Sequence, residues 1–69
     1  MSPRQRIPSE EGNVRERILK ASRDIFGRYA FKAASTRMVA KQAGVEHPMI
    51  HHYFGSKEKL FETMASEMY

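Results

Sequence analysis

A single glycine between two short amphipathic runs constrains this chain more than any other feature. Ser35 is a good N-cap for a run from Thr36 to Ala43, and Gly44 then supplies the left-handed stop that residues with a Cβ resist. Only Val45 and Glu46 separate Gly44 from the next run, His47 to Tyr53, whose Pro48 is tolerated because first-turn N–H groups lack intrahelical partners. Two helices this short are not stable alone, so a third must brace them. Val14, Ile18, Ala21, Ser22, Ile25 and Tyr29, at spacings of three and four, supply that brace, with Leu19 and Phe26 widening the stripe. Glu16, Arg17, Lys20, Arg23, Asp24 and Arg28 fall on the opposite arc.

Asn13 with Glu16 three residues later resembles a capping box and predicts a start for this first helix near Val14, with an end near Tyr29 or Ala30. Residues 1–12, with Pro3, Pro8 and Gly12 and almost no apolar side chains, read as a flexible arm. A fourth helix begins at Ser56 as N-cap, just after Gly55. Leu60, Phe61, Met64, Ala65 and Met68 form its stripe, and without a stop signal before Tyr69 the chain is expected to be cut inside it. No segment alternates with a period of two, and nothing repeats. The expected fold class is therefore all-α: a three-helix helix-turn-helix (homeodomain-like) domain over residues 13–55, and the start of a fourth helix over residues 56–69.

Composition narrows the function. At 69 residues there is room for one small domain and none for a pocket plus a catalytic scaffold. No Ser-His-Asp constellation or phosphate loop is present, and Asp24 is the only aspartate, so no enzyme is expected. The absence of Cys removes disulfides and thiolate zinc sites. No apolar run approaches the roughly 18 residues of a membrane span, and Met1 to Gly12 lacks the apolar core of a signal peptide, which makes a cytoplasmic location the expectation. The net charge of +4 favours a polyanionic partner, and its distribution is uneven. Residues 1–12 are neutral and residues 56–69 are slightly acidic, so the excess positive charge lies between them, beside His47, His51 and His52.

On the third helix Ile50 and Phe54 stand one above the other and can face the core. Pro48, Met49 and His52 are left on the opposite side, flanked by His47, His51 and Tyr53. A solvated face would ordinarily hold Lys, Glu and Gln. Imidazoles that donate and accept, with apolar groups able to press on a thymine methyl, suit base edges and phosphates in a major groove.

The run Ser35-Thr36-Arg37-Met38-Val39-Ala40-Lys41-Gln42-Ala43-Gly44-Val45-Glu46-His47-Pro48-Met49-Ile50-His51-His52-Tyr53-Phe54-Gly55-Ser56-Lys57-Glu58-Lys59-Leu60-Phe61, preceded by Arg17-Ile18-Leu19-Lys20-Ala21 and Ile25-Phe26, resembles the N-terminal DNA-binding domain of tetracycline-repressor-type (TetR family) transcriptional regulators. The resemblance covers about residues 14–69. It implies a bacterial or archaeal one-component regulator, nucleoid-associated and in most cases a repressor, whose N-terminal domain binds a palindromic double-stranded DNA operator. A larger helical domain, expected to be missing from these 69 residues, would bind a small-molecule inducer and form the homodimer. Position by position, the resemblance assigns Thr36 and Arg37 to phosphate, with Arg37 also within reach of a base. It assigns His47, Pro48, Met49, His51 and His52 to reading or flanking bases, and Tyr53 and Lys57 to phosphates. Three positions depart from the usual pattern: His51 stands where Tyr is common, Met49 where Thr or Ser is frequent, and Ala30 where Gly usually closes the first helix. A left-handed Ala30 would cost on the order of 1 kcal/mol relative to Gly.

Plainer readings stand beside these. His47 and His51 have metal-ligand spacing, yet no Cys or acidic residue in the segment completes a set, so no metal and no cofactor are expected. The three histidines can be read as solvated polar residues, Tyr53 as a cap on the core beside Phe54, and the basic arc of the first helix as solvated surface. Arg4 and Arg6 belong either to a minor-groove arm or to a plain tail. The alternative function is an amphipathic helical module for a protein or membrane partner. A membrane partner is disfavoured, because it has no need of Gly44 and Pro48 at this spacing or of a polar, His-rich third helix.

Overall fold

The computed structural model describes the backbone of residues 6–67 and the side chains of residues 13–67. Four helices follow one another: α1 (Arg6–Arg28), α2 (Thr36–Ala43), α3 (His47–Tyr53) and α4 (Lys57–Ser66). No strand occurs among the described residues.

The boundaries of α2 and α3 and the start of α4 fall where their punctuation predicts. Ser35 is extended (φ −132°, ψ 156°) and its side-chain oxygen accepts from the Met38 N–H at 3.1 Å. Ser56 does the same for the Lys59 N–H. Gly44 is left-handed (φ 74°, ψ 34°); its N–H reaches the Lys41 carbonyl and the Val45 N–H reaches Ala40, the paired bonds of a Schellman ending. Gly55 (φ 95°) makes the corresponding reversal between α3 and α4.

The start of α1 differs from the sequence expectation. The helix begins at Arg6, so Asn13 is an interior residue and not a cap, and the arm expected over residues 1–12 is helical from residue 6 onward. Arg4 and the rest of residues 1–5 lie outside the described residues. The physical reason is that a cap residue is a preference and not a barrier: once nucleated, a helix gains a hydrogen bond for each residue added. Pro8 falls within the first turn, where its missing N–H has no consequence. Ala30 also departs from expectation, since no residue other than glycine has positive φ among the described residues. The chain instead leaves α1 through a turn in which the Ala30 carbonyl accepts from the N–H groups of both Ala33 and Ala34 at 2.9 Å, and the cost of a left-handed alanine does not arise.

The core joins Ile18, Leu19 and Ile25 of α1, Val39 of α2, Ile50 of α3, and Leu60 and Met64 of α4, with small residues between them. α1 packs against α2 and α4, and α2 packs against α3. Ser22 is fully buried and satisfies its hydroxyl by donating to the Leu19 carbonyl at 2.7 Å. Tyr29, expected in the core stripe, is 42% exposed, because it lies beyond the last turn of α1. Phe61 is also partly exposed; it packs with Phe26 and Phe31 in an aromatic trio with ring centroids 5.1–5.8 Å apart. No helix among the described residues is long and apolar enough to cross a membrane.

Candidate nucleic-acid interface

The candidate site is built on the turn between α2 and α3. The last carbonyls of a helix need partners from outside it, and α1 supplies one. Arg17 donates from Nε and Nη2 to the Ala43 carbonyl (3.2 and 3.0 Å) and from Nη2 to the Gly44 carbonyl (3.1 Å). The guanidinium sits so close that a Cβ on residue 44 would lie 3.1 Å from Nη2. Glycine is thus required here for its backbone conformation and favoured by the space. Sequence reasoning missed this role and placed Arg17 on the outward arc of α1. The only available signal was the unsatisfied end of α2, which does not say which basic residue answers it.

The first turns of α2 and α3 meet directly: Thr36 Oγ1 and His47 Nε2 are 2.7 Å apart. His47 in turn meets His51 edge to face, with ring centroids 5.2 Å apart. His51 Nδ1 lies 3.0 Å from the Gly55 carbonyl oxygen. A polar line therefore runs from Thr36 along α3 to the turn before α4. Ile50, fully buried, anchors the opposite side of the helix, and Phe54 packs half-buried beneath the Arg15 guanidinium, 5.6 Å from its ring. Arg15 also holds Glu67 of the α4 end at 2.9 Å, and this hydrogen bond keeps the Glu67 carboxyl below its ordinary value.

Of the nine residues singled out from the sequence, Arg37, Pro48, His51 and His52 are exposed; Thr36, His47, Met49, Tyr53 and Lys57 are half-buried. Tyr53 packs against the core, as its plainer reading supposed, and its ring lies nearly perpendicular to that of His52, with centroids 5.1 Å apart. Lys57 is arranged differently from a lysine reserved for phosphate. Its Nζ donates to the carbonyls of Phe31 and Ala34, at 2.6 and 2.9 Å, and lies 4.2 Å from the Phe31 ring centroid. An ammonium has three donors, so one remains. Among the described residues no group of three or more metal-ligating side chains comes together. A surface concavity lined by Arg17, Lys20, Asp24, Arg28 and Gln42 involves no residue of α3.

Comparison with known proteins agrees with this geometry. The sequence profile of the bacterial regulatory proteins of the tetR family matches residues 18–64, from the first buried turn of α1 to the core methionine of α4. The HTH-type transcriptional repressor AcnR of Corynebacterium efficiens is 36% identical over 55 residues, covering 80% of this chain and 29% of that protein. The HTH-type transcriptional regulator BetI of Vibrio campbellii is 37% identical over 51 residues (74% and 26%), and UidR of Escherichia coli (strain K12), of the same description, is 34% identical over 58 residues (84% and 30%). The chain thus spans less than a third of the length of these curated relatives. No solved structure matches it. The helix-turn-helix of α2 and α3, its glycine ending and the matched profile together place the chain in the tetR family of bacterial regulatory proteins.

Proposed function

We propose that this chain binds double-stranded DNA as the operator-reading domain of a transcriptional regulator, with α3 in the major groove. The observation that carries this reading is the face of α3. It is a helix held at a fixed angle by Ile50 and by the tied turn before it, and it turns Pro48, His51 and His52 to solvent with His47 and Met49 at its flanks. In this reading Thr36 and Arg37, at the start of α2, meet phosphates, and Arg37 can extend to a base. His47, Pro48, Met49, His51 and His52 read or flank bases, Met49 by contact with a thymine methyl. Tyr53 and Lys57 meet phosphates where α3 passes into α4, Lys57 through the one donor its carbonyl contacts leave.

The relatives named as repressors support repression as the mode of action. The rest of such a regulator would form a homodimer and bind a small-molecule inducer, which suits a palindromic operator read in the cytoplasm. Residues 13–55 would then be the reading unit and residues 56–69 the start of its link to that remainder. Binding-site selection from random duplexes tests the proposal and is expected to return a defined half-site. Arg37→Ala should weaken binding to every sequence and lower the salt slope by about 1. His47→Ala or Met49→Ala should instead change which sequences are preferred, and uniform loss on all duplexes for all three variants would count against the assignment of base readers.

A further inference from the structure

We infer that His51 contacts a DNA phosphate only as the imidazolium, so that complex formation takes up a proton at this side chain. The inference rests on the reading of α3 as the recognition helix and gives His51, which in that reading flanks the base readers, a backbone contact with a defined atom and charge state.

Its basis is a hydrogen bond whose direction is fixed. His51 Nδ1 is 3.0 Å from the Gly55 carbonyl oxygen. A carbonyl only accepts, so the hydrogen is on Nδ1. A neutral imidazole carries a single N–H, which leaves Nε2 of the neutral ring as a bare lone pair. The side chain is exposed in the last turn of α3, next to the left-handed Gly55 and the Ser56-capped start of α4. The end of a recognition helix is where the DNA backbone is met, while base edges are met from its N-terminal part. Phosphate oxygens are acceptors, and a lone pair aimed at one is repelled. A second proton on Nε2 converts the same ring into a charge-assisted donor without disturbing the Nδ1 bond.

The surroundings leave the counter-charge to the ligand. The titratable ring in contact with His51 is His47, whose Nε2 is occupied by the Thr36 hydroxyl. On the adjoining elements, Arg15 of α1 is paired with Glu67, Lys57 of α4 is directed at the Phe31 and Ala34 carbonyls, and Arg37 of α2 is exposed. Glu46 and Glu58, at the starts of α3 and α4, are exposed, and among the described residues no carboxylate forms an ion pair with a histidine. The other two histidines differ. The partner of His47 is a hydroxyl that both donates and accepts, so it fixes no tautomer, and among the described residues no side-chain hydrogen bond holds the His52 ring, which meets that of Tyr53.

Because a phosphate contact carries no sequence information, a labelled duplex of arbitrary sequence is a sufficient probe. Fluorescence anisotropy of the 69-residue chain at low, fixed ionic strength should show affinity falling as pH rises from 6 to 8. Linkage to one proton limits that fall to about tenfold per pH unit. His51→Gln, which cannot titrate, should flatten the dependence, while His47→Gln and His52→Gln should retain it. A measurement free of substitutions accompanies this: imidazole nitrogen shifts should report Nδ1–H for free His51 and both nitrogens protonated on the duplex. An Nε2–H tautomer in the free chain, or equal pH slopes in the parent and His51→Gln, overturns the inference. Tight binding with a flat profile also overturns it and leaves the DNA reading standing, whereas no binding to any duplex sinks the DNA reading itself.

Discussion

α2 and α3 are nearly equal in length, at eight and seven residues, and are held in opposite ways. α2 buries Val39, Ala40 and Ala43, is capped by a serine at its start and ends in a glycine reversal. α3 buries Ile50 alone, and its N-cap, Glu46, makes no side-chain cap bond. What fixes α3 comes from other elements: the Arg17 tie on the preceding turn, the Thr36 contact to His47, and the seat of Phe54 under Arg15. A helix that spends few residues on its own stability has the rest available for a partner. The contrast therefore separates a helix held by its own caps and buried face from one held by its neighbours, which is what the proposed reading role of α3 calls for.

The largest loss is expected at Ile50. Ile50→Ala removes the one fully buried side chain of α3 and should cost about 2–5 kcal/mol, a large share of the stability of so small a domain. Urea denaturation followed by circular dichroism should show the midpoint collapse, and a loss under 1 kcal/mol would mean that α3 is held by something other than its anchor. Gly44→Ala comes next, at about 1–2 kcal/mol for the left-handed backbone, with crowding against Arg17 added. In a double-mutant cycle with Arg17→Met the two changes should be non-additive, and simple additivity would show that the guanidinium does not feel residue 44.

The caps sharpen the contrast from both sides. Ser35→Ala should cost α2 about 1 kcal/mol. Glu46→Ser should stabilise α3 by about 0.5–1 kcal/mol, since Glu46 already has the extended backbone of a cap (φ −78°, ψ 144°) and lacks only a suitable side chain. Thermal denaturation of the two variants should move in opposite directions. The smallest effect concerns the tie between Arg15 and Glu67. Because Arg15 holds the Glu67 carboxyl below its ordinary value, the contribution is present at neutral pH and is lost as pH falls below about 4 and through the lowered value. Parent and Glu67→Gln should differ slightly in urea midpoint at pH 7, and the gap should narrow as pH falls below about 4; a gap that does not change with pH would assign the difference to something other than the ion pair.

The parts of the fold legible in the sequence are those with local causes. Ser35, Gly44, Pro48 and Ser56 act within one turn of themselves, and the limits of α2 and α3 follow from them. The start of α1 was misread because Asn13 is a good cap that upstream residues, able to continue the helix, leave unused. The Arg17 tie and the carbonyl contacts of Lys57 escape the sequence for a different reason. Their acceptors lie 23 to 27 residues away, so no periodicity places either head group. The exposed face of α3 was legible in part: Ile50 and Phe54 orient the helix and Pro48 and His52 are exposed as expected, but Met49 is half-buried and His51 is exposed, and the Thr36 to His47 contact depends on how two helices cross.

The Lys57 side chain has a mechanical consequence. It grips the carbonyls of Phe31 and Ala34 from the first residue of α4, and Ala34 adjoins Ser35 and Thr36, the start of α2. A displacement of α4 as a rigid rod must therefore either break both bonds or drag the connection between α1 and α2 with it. In the second case the load reaches Thr36, and through it His47, along the backbone and a single side chain as well as through the core that Leu60 and Met64 share with Val39 and Ile50.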